Sequence, residues 1–421
     1  MNAEMITTII ILIAAVFLYS TARVGYAAAS FLILGALYAT GIVKVENLFA
    51  NLINSSTLLV IFMFILSGAL LKSGASALLG KWISHGVQTE KGAVMRLFLA
   101  SAAMSSVISN MATATIVATF AVGIASARKE FRLQKLLMGV AVGSILGGML
   151  TIIGVSGNAM VRSFLEEAGV GTVGFWDFGK IGLPLCIAGG LYMYFLGYRL
   201  SPGRNTPAAS ETEDEELQEV KDFKKCALSI LVFVGVVVSM ILEPVSGIPL
   251  HISAFAGCLV LLLGRVITEK EAFTYVNWPS TVMFSTLLTL GGAIADSGVA
   301  QLMADGLVYF GGGVDTTAIL IVLFVLIIIL TQFMSNGATT AIFYPVGLVL
   351  AKAVGASPVA VLMMICVAAS CSFATPMATP LNAYLMTIAD YKFSDFVKVG
   401  LPLMLISALV AVPLCPLIWQ P

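Results

Sequence analysis

The sequence DFGKIGLPL occupies Asp177–Leu185, and a near copy, DFVKVGLPL, occupies Asp395–Leu403. Seven of the nine positions are identical in the two copies. In a strongly apolar chain, this recurrence predicts that one membrane unit has been duplicated. Duplicated membrane units are typical of secondary transporters, in which the transported solute binds between the two copies.

The composition excludes an ordinary soluble domain. Of the 421 residues, 59% are hydrophobic and 10% are charged, which is typical of a chain with many membrane spans. At roughly 20 residues per span plus loops, about ten to twelve spans are expected. The formal net charge is zero, so no nucleic-acid partner is expected.

The cysteines and the N-terminal segment carry no contrary signal. The six cysteines are scattered on apolar segments without metal-ligand spacing, so we expect buried thiols and no cofactor. The apolar segment 5–19 lacks a basic leader and a small-residue cleavage site, so it is expected to be a first span rather than a removed signal. The chain is therefore expected to lie in the lipid bilayer of the inner or plasma membrane as a multi-pass protein.

The two halves match beyond the opening motif when they are laid over each other at an offset near 224 residues. The matching pairs are Thr57 with Thr281, Gly68 with Gly292, Asn158 with Asn382 and, at an offset of 226, Ser109-Asn110 with Ser335-Asn336. We therefore predict an all-α polytopic membrane protein with two repeats, residues 1–198 and 226–421. The polar stretch 199–225, with an acidic run at 211–216, is predicted to be a solvated cytoplasmic linker.

Each repeat is predicted to contain about five spans, one helical hairpin and a broken helix. The hairpins are residues 91–127 and 316–352, and the broken helices are 135–168 and 357–391. The other apolar segments lie near 5–21, 26–43, 57–73, 180–198, 226–243, 248–265, 281–297, 298–311 and 399–418, with a short amphipathic stretch at 75–86.

The basic residues predict that the repeats have opposite orientations. Eight Lys or Arg lie between Lys72 and Lys135, whereas the matching region from Asp296 to Pro358 has one, Lys352. Because cytoplasmic loops are enriched in Lys and Arg, the flanks of the first interrupted segment are expected inside the cell and those of the second outside. Basic residues on both sides of segment 91–127 also predict that it enters the membrane and returns. This topology places both chain termini outside.

Polar residues lie at both predicted hairpin tips, Ser109–Thr113 and Ser335–Thr339, and at both helix breaks, Gly154–Asn158 and Ala374–Asn382. Non-helical backbone persists inside a bilayer only where protein or a wet cavity surrounds it. Half-helix N-termini favour anions, and unwound carbonyls with Ser and Asn oxygens suit Na⁺. One tip and one break per half therefore predict two equivalent Na⁺ sites with an anion between them, although close helix packing is an alternative role for such small residues.

Acidic residues are absent from the middle of every predicted span. Proton-coupled carriers generally need a titratable group within the membrane, so this absence favours Na⁺ as the coupling ion. It also leaves the counter-charge for an anion to helix dipoles, amides and the bound cations. An intramembrane enzyme would need a deep catalytic pair, and we find none, so the chain is not expected to be an enzyme.

These residues resemble those of the divalent anion/sodium symporters, which carry dicarboxylates, citrate or sulfate. That family has two Ser-Asn-Thr hairpin tips and broken helices with a Thr-Pro-Pro-Asn-like sequence. The corresponding stretches here are Ser109-Asn110-Met111, Ser335-Asn336-Gly337, Thr379-Pro380-Leu381-Asn382, Val155-Ser156-Gly157-Asn158, Val276-Asn277-Trp278 and Phe393–Pro402. The resemblance covers most of the chain and is specific in combination.

The resemblance implies particular ligands, carried over by motif position. The implied sodium-binding residues are Ser105, Ser109, Asn110 and Gly154 at one site and Thr331, Ser335, Asn336 and Ala378 at the other. The implied substrate-binding residues are Asn110, Met111, Asn336, Gly337, Thr379 and Pro380. Both threonines of the family's tips are replaced, by Met111 and Gly337, which makes the substrate site asymmetric and more apolar and leaves the choice of anion open.

The implied function is sodium-coupled symport of an anion (a dicarboxylate, sulfate or a related organic anion) by elevator movement. The hairpins and broken helices would move against a scaffold of flanking helices, which is expected to form a homodimer contact. A sodium-independent anion exchanger and an oxyanion or metalloid exporter on the same fold are the alternatives, and an ion channel is a more distant one.

Overall fold

The computed structural model describes residues 2–21, 24–75, 87–204, 222–310 and 316–420. All regular elements within these ranges are helical, which confirms the prediction of an all-α membrane protein. The main helices of the first half are α1 (Ala3–Thr21), α2 (Tyr26–Ala39), α3 (Ser55–Lys72), α4 (Glu90–Ser105), α5 (Asn110–Ala127), α6 (Leu133–Gly147), α7 (Ser156–Glu167) and α8 (Asp177–Tyr192). Those of the second half are α9 (Phe223–Ile241), α10 (Leu250–Leu263), α11 (Glu269–Tyr275), α12 (Trp278–Asp296), α13 (Val299–Phe310), α14 (Thr316–Leu330), α15 (Asn336–Val354), α16 (Pro358–Ser370), α17 (Pro380–Ala389) and α18 (Phe393–Ile418).

Six of the described helices are long and apolar enough to cross a membrane, or seven if the bent pair α12 and α13, which meet at 71°, counts as one span. Several shorter apolar helices accompany them. They include α6 and α16, which are each the first part of a predicted broken helix. A helix of about 15 residues extends about 22 Å, less than the roughly 30 Å of a bilayer's hydrocarbon core, so each of these short helices is by itself too short to cross it.

Both interrupted segments fold as helical hairpins whose two ends meet. In the first hairpin, formed by α4 and α5, the Arg128 guanidinium just after α5 donates to the carbonyl of Val87 just before α4, at 3.0 Å. In the second, formed by α14 and α15, the Thr316 hydroxyl at the start donates to the carbonyl of Val354 at the end, at 3.3 Å. The chain therefore leaves each hairpin beside the point where it entered.

The duplicated motif lies at the start of α8 and of α18, and these two helices pack antiparallel. The Tyr192 hydroxyl of α8 donates to the carbonyl of Val399 in α18 at 2.7 Å. One end of this contact surface holds Arg204, which pairs with Asp395, and the other brings Leu403 to Gly189. Residue numbers rise along α8 as they fall along α18, so the two copies of the motif run in opposite directions.

The glycine shared by the two motif copies, Gly182 in the first and Gly400 in the second, lies where its helix crosses a helix break. A β-carbon on Gly182 would lie 2.3 Å from the carbonyl oxygen of Met149, and one on Gly400 would lie 2.5 Å from that of Phe373. Both distances are far below van der Waals contact. The repeated glycine is therefore required by the close approach of α8 to the break after α6, and of α18 to the break after α16.

The centre of the molecule is built from helices of both halves. The half-helix α7 packs against α15 and α16, and the half-helix α17 packs against α5 and α6. Each second half-helix thus contacts the hairpin and the broken helix of the other half. Most residues of α6, α15 and α16 are buried, so these helices form the core of the fold.

The predicted boundaries differ from the structure in a few places. Helices α8 and α18 begin at Asp177 and Phe393 rather than near 180 and 399, because the motif itself is helical. Short helices at Val45–Leu48, Ala50–Ile53, Glu243–Ser246 and Glu269–Tyr275 were not anticipated. Most of the predicted amphipathic stretch 75–86, and the linker from 205 to 221 with its acidic run, lie outside the described residues.

We expect Gly182→Ala and Gly400→Ala each to lower the melting temperature of the detergent-purified protein. The added methyl group would press on a backbone carbonyl, which cannot turn aside as a side chain can, and overpacking of this kind costs about 1–3 kcal/mol. The matched control is Gly235→Ala in α9, where a β-carbon would meet nothing within 4 Å. Equal melting temperatures for Gly400→Ala and Gly235→Ala would contradict the packing described here.

Candidate ion-binding site at the hairpin tips

The first hairpin tip is ordered by its own polar side chains. The Ser109 hydroxyl caps α5 by accepting from the backbone N–H of Ala112 at 3.4 Å. The Ser105 hydroxyl, at the end of α4, donates to Asn110 Oδ1 at 2.6 Å. The Asn110 side chain lies against the helix break after α6, since a β-carbon on Gly148 would lie 2.5 Å from its Oδ1. The tip and the break of the first half are therefore in contact.

The break between α6 and α7 is held by one side-chain amide. Asn158 Nδ2 donates to the carbonyl of Gly148 at 2.9 Å and to that of Thr151 at 2.6 Å. The Thr151 hydroxyl in turn donates to the carbonyl of Ser106 in the hairpin tip. Helix ends leave backbone carbonyls without partners; these bonds give the Gly148 carbonyl a donor and add a second one to the Thr151 carbonyl, which also accepts from the backbone N–H of Gly154 at 3.4 Å.

The second half repeats this arrangement residue for residue. The Thr331 hydroxyl donates to the carbonyl of Ala369 at 2.5 Å and lies within hydrogen-bonding distance of Asn336 Oδ1, at 3.2 Å. Asn382 Nδ2 donates to the carbonyls of Ser372 and Thr375, both at 3.0 Å. The Thr375 hydroxyl donates to the carbonyl of Gln332 in the second tip, at 2.5 Å.

The side chain of Gln332 joins the second tip to its break by two further bonds. Its Nε2 donates to the carbonyl of Cys371 at 2.9 Å, and its Oε1 accepts from the backbone N–H of Ala374 at 3.0 Å. The residues of the second break that contact the tip are therefore Cys371, Ala374 and Thr375, and not the implied sodium ligand Ala378. Ala378 itself is buried at the end of the same break.

The two halves meet where the helices begin. A β-carbon on Gly337, in the first turn of α15, would lie 3.5 Å from the hydroxyl oxygen of Ser156, the first residue of α7. Helix α5 likewise packs against α17, which begins at Pro380. Helix N-termini carry partial positive charge. The arrangement therefore offers neutral oxygens for a small cation beside helix ends that attract an anion.

A cavity of about 80 Å³ lies between the first tip, the first break and α3. Its polar lining comes from Ser67, Ser109, Gly154 and Ser156, and the remaining lining is aliphatic and aromatic. Two of the implied sodium-binding residues, Ser109 and Gly154, thus share one small cavity. Among the described residues, no group of three or more His, Cys, Asp or Glu could hold a metal ion, so a cation here would be bound by hydroxyl, amide and carbonyl oxygens.

The implied substrate residues differ in exposure. Met111 is 38% exposed and Pro380 is also exposed, Asn110 is half-buried, and Asn336, Gly337 and Thr379 are buried. The Thr379 hydroxyl caps α17 by accepting from the backbone N–H of Asn382 at 3.2 Å, and accepting this bond does not use its own proton.

Sequence reasoning missed several residues that build the site. Thr151, Gln332, Tyr344 and Cys366 each bond to a tip, to a break or to the half-helix that follows one. The repeated Asn158 and Asn382 were recognised as a pair, but their role as anchors of the breaks was not. The threonines at 151 and 375 match in the aligned halves, and this match could have identified them as site residues. Tyr344 and Cys366 have no polar counterpart in the first half, so the alignment gave no signal for them.

One arginine lies in the broken helix, and its charge is already paired. The Arg162 guanidinium of α7 makes two bonds of 2.8 Å to Glu243 and one of 2.7 Å to Glu166. The side chain is therefore not free to neutralise an anion.

The comparisons with known proteins give the family. The model of the CitMHS citrate transporter family matches residues 9–346. An uncharacterized transporter of Haemophilus influenzae is 28% identical over 351 residues, covering 78% of this chain and 73% of its own length. The sodium-dependent dicarboxylate transporter SdcS of Staphylococcus saprophyticus is 22% identical, covering 93% of this chain and 82% of its own.

A solved structure shares the fold. The Alcanivorax borkumensis YdaH transporter superimposes with a TM-score of 0.64 at 15% identity, over 99% of this chain and 98% of that one. The helices, the interlocked tips and breaks, and these similarities define a membrane transporter. The chain belongs to the CitMHS citrate transporter family, within the same broad grouping as the divalent anion/sodium symporters.

We expect Thr375→Val to lower the melting temperature, whereas Thr375→Ser retains it. Valine keeps the shape of threonine but leaves the buried carbonyl of Gln332 without its donor, and a buried unsatisfied group costs about 1–3 kcal/mol. The matched control is Thr387→Val, which removes an exposed hydroxyl that bonds within its own helix. A Thr375→Val protein as stable as the Thr387→Val protein would show that the bond between tip and break contributes nothing.

Proposed function

We propose that this transporter couples the inward flow of Na⁺ to the uptake of a small carboxylate anion such as citrate or a dicarboxylate. The observation that carries the proposal is the pair of tip-and-break constellations, each with a hydroxyl bonded to the Oδ1 of an Asn that begins a helix. Neutral oxygens of this kind bind Na⁺ without a titratable group. The family of citrate transporters and the sodium-dependent relative support the same ion and the same substrate class.

Two ion sites are proposed, one in each half. The first comprises Ser105, Ser109, Asn110 and Gly154, and the second comprises Thr331, Ser335, Asn336 and Ala378. The anion would lie between them, against Asn110, Met111, Asn336, Gly337, Thr379 and Pro380. Each bound Na⁺ adds a full positive charge beside helix N-termini, which strengthens the attraction for a carboxylate.

We also propose that the halves are inverted repeats and that transport proceeds by elevator movement. The matched hydrogen bonds at the two breaks support the duplication, and the antiparallel packing of α8 and α18 and the excess of basic residues around the first hairpin support the inversion. The moving body would comprise the hairpins and broken helices, and the remaining helices would form the scaffold of a homodimer.

Uptake into proteoliposomes tests this function. With citrate and C4-dicarboxylates as probes, an inward Na⁺ gradient should drive accumulation, and a K⁺ gradient should not. Asn110→Ala and Asn336→Ala should each reduce Na⁺-driven uptake to background, because each removes an amide oxygen from a proposed ion site. The matched control is Asn47→Ala, at an exposed position outside the site.

Other outcomes separate the alternatives. Full uptake by either Asn variant would refute the proposed ion sites. Uptake that is equal in Na⁺ and K⁺ but stimulated by anion inside the vesicles would replace symport with sodium-independent exchange.

A further inference from the structure

The half-helix α7 of the first half is held by side chains of the second half. The Tyr344 hydroxyl, in the middle of α15, donates to the carbonyl of Gly157 at 2.9 Å. One turn earlier, the Thr340 hydroxyl lies 3.6 Å from the sulfur of Met160. Tyr344 is fully buried, so its hydroxyl has no water as an alternative partner. The start of α7 is therefore fixed against the hairpin helix that begins at Asn336.

A thiol completes this connection. The Cys366 thiol of α16 donates to Asn158 Oδ1 at 3.0 Å, while Asn158 Nδ2 donates to the two carbonyls of the first break. Both atoms of the Asn158 amide are thus engaged. Since Thr151 links this break to the carbonyl of Ser106, a series of bonds runs from Cys366 through Asn158 to the first hairpin tip, next to Ser105 of the proposed first ion site.

Among the described residues, the start of α17 has no equivalent support from the first half, which instead bonds to its far end, where Gln134 Nε2 donates to the carbonyl of Ala389 at 2.8 Å. The offsets of the aligned halves place Ala118 opposite Tyr344 and Val142 opposite Cys366, and neither side chain can donate a hydrogen bond. Consistent with this, Asn382 Oδ1 is buried and has no hydrogen-bond partner among the described residues. The matching oxygen of Asn158 has its partner. The two breaks therefore share their internal bonds but differ in the bonds that hold them from outside.

We propose that Tyr344 and Cys366 are positioning residues that hold the first ion site in its binding geometry, so that the two ion sites have unequal Na⁺ affinity. This inference rests on the proposed sodium coupling. A site whose ligands are held in place before binding loses less freedom when the ion enters, and it binds more tightly. In the first break the other half holds the Asn158 amide itself, whereas Gln332, from the same half, supports the second break and leaves the oxygen of Asn382 without a partner among the described residues.

The test is a Na⁺ titration of thermal unfolding with the full-length purified protein, with choline chloride replacing NaCl at constant ionic strength. A ligand that binds the folded state raises the melting temperature with its own concentration dependence. The wild-type curve should show a tighter and a weaker component, seen as two successive increases in the slope of the melting temperature against the logarithm of the Na⁺ concentration. Cys366→Ala and Tyr344→Phe should each move the first increase to a Na⁺ concentration roughly threefold to tenfold higher, the effect of one lost hydrogen bond.

Two variants separate positioning from general stability. Cys366→Ser keeps a donor and should return the first increase in slope to its wild-type Na⁺ concentration. Tyr192→Phe removes a similar buried bond between the halves, from Tyr192 to the carbonyl of Val399, away from the tips. It should lower the melting temperature in choline without changing the Na⁺ dependence.

The possible results are distinct. A wild-type curve with one component, equal shifts for Cys366→Ala and Cys366→Ser, or a Tyr344→Phe curve that matches Tyr192→Phe would overturn the inference and leave sodium coupling intact. Absence of any Na⁺ effect on the wild type would instead remove the proposed sodium coupling, and this inference with it. If Cys366→Ala fails to fold, Tyr344→Phe, which removes a single oxygen atom, decides the question.

Discussion

The structure depends on satisfying backbone carbonyls where two membrane helices are broken. A bilayer offers no water to an unpaired carbonyl, and each one left unsatisfied costs several kcal/mol. Asn158 and Asn382 meet this constraint in the same way, each with one side-chain amide that donates to two carbonyls of its own break. The breaks can therefore lie in the core of the protein as ordered structure.

The other features of the site follow from these anchored breaks. Thr151 and Thr375 tie each break to a hairpin tip, and the close approach of Gly182 and Gly400 lets α8 and α18 cover the breaks from outside. Four helices, α5, α7, α15 and α17, then begin near the interface of the two halves. Polar oxygens and helix N-termini are gathered there without a buried acidic residue, which is the chemical basis for proposing a cation and an anion at one place.

Much of this could be predicted from the sequence because the two halves of the chain can be aligned with each other. The motif at Asp177 and Asp395 revealed the duplication, and the paired Ser-Asn sequences marked the hairpin tips. The all-helical fold and the family are confirmed, whereas the ion ligands and the inversion stay predictions. Contacts between the halves could not be predicted. Tyr344 and Cys366 lie in the second half and bond to the first, and the aligned positions in the first half, Ala118 and Val142, are apolar, so the alignment gives no signal for them. An alignment of the halves shows what they share and gives no information about how they contact each other.

The central claim is that the two hairpins enter the membrane from opposite faces. Lys129, beyond the first hairpin, and Lys352, near the end of the second, are exposed, and five of the six cysteines are buried with only Cys186 partly accessible. In a Cys186→Ser background, Lys129→Cys and Lys352→Cys can each be labelled with a membrane-impermeant maleimide in cells. The account predicts that Lys352→Cys reacts in intact cells and that Lys129→Cys reacts only after permeabilisation. Labelling of both from the same face would contradict it.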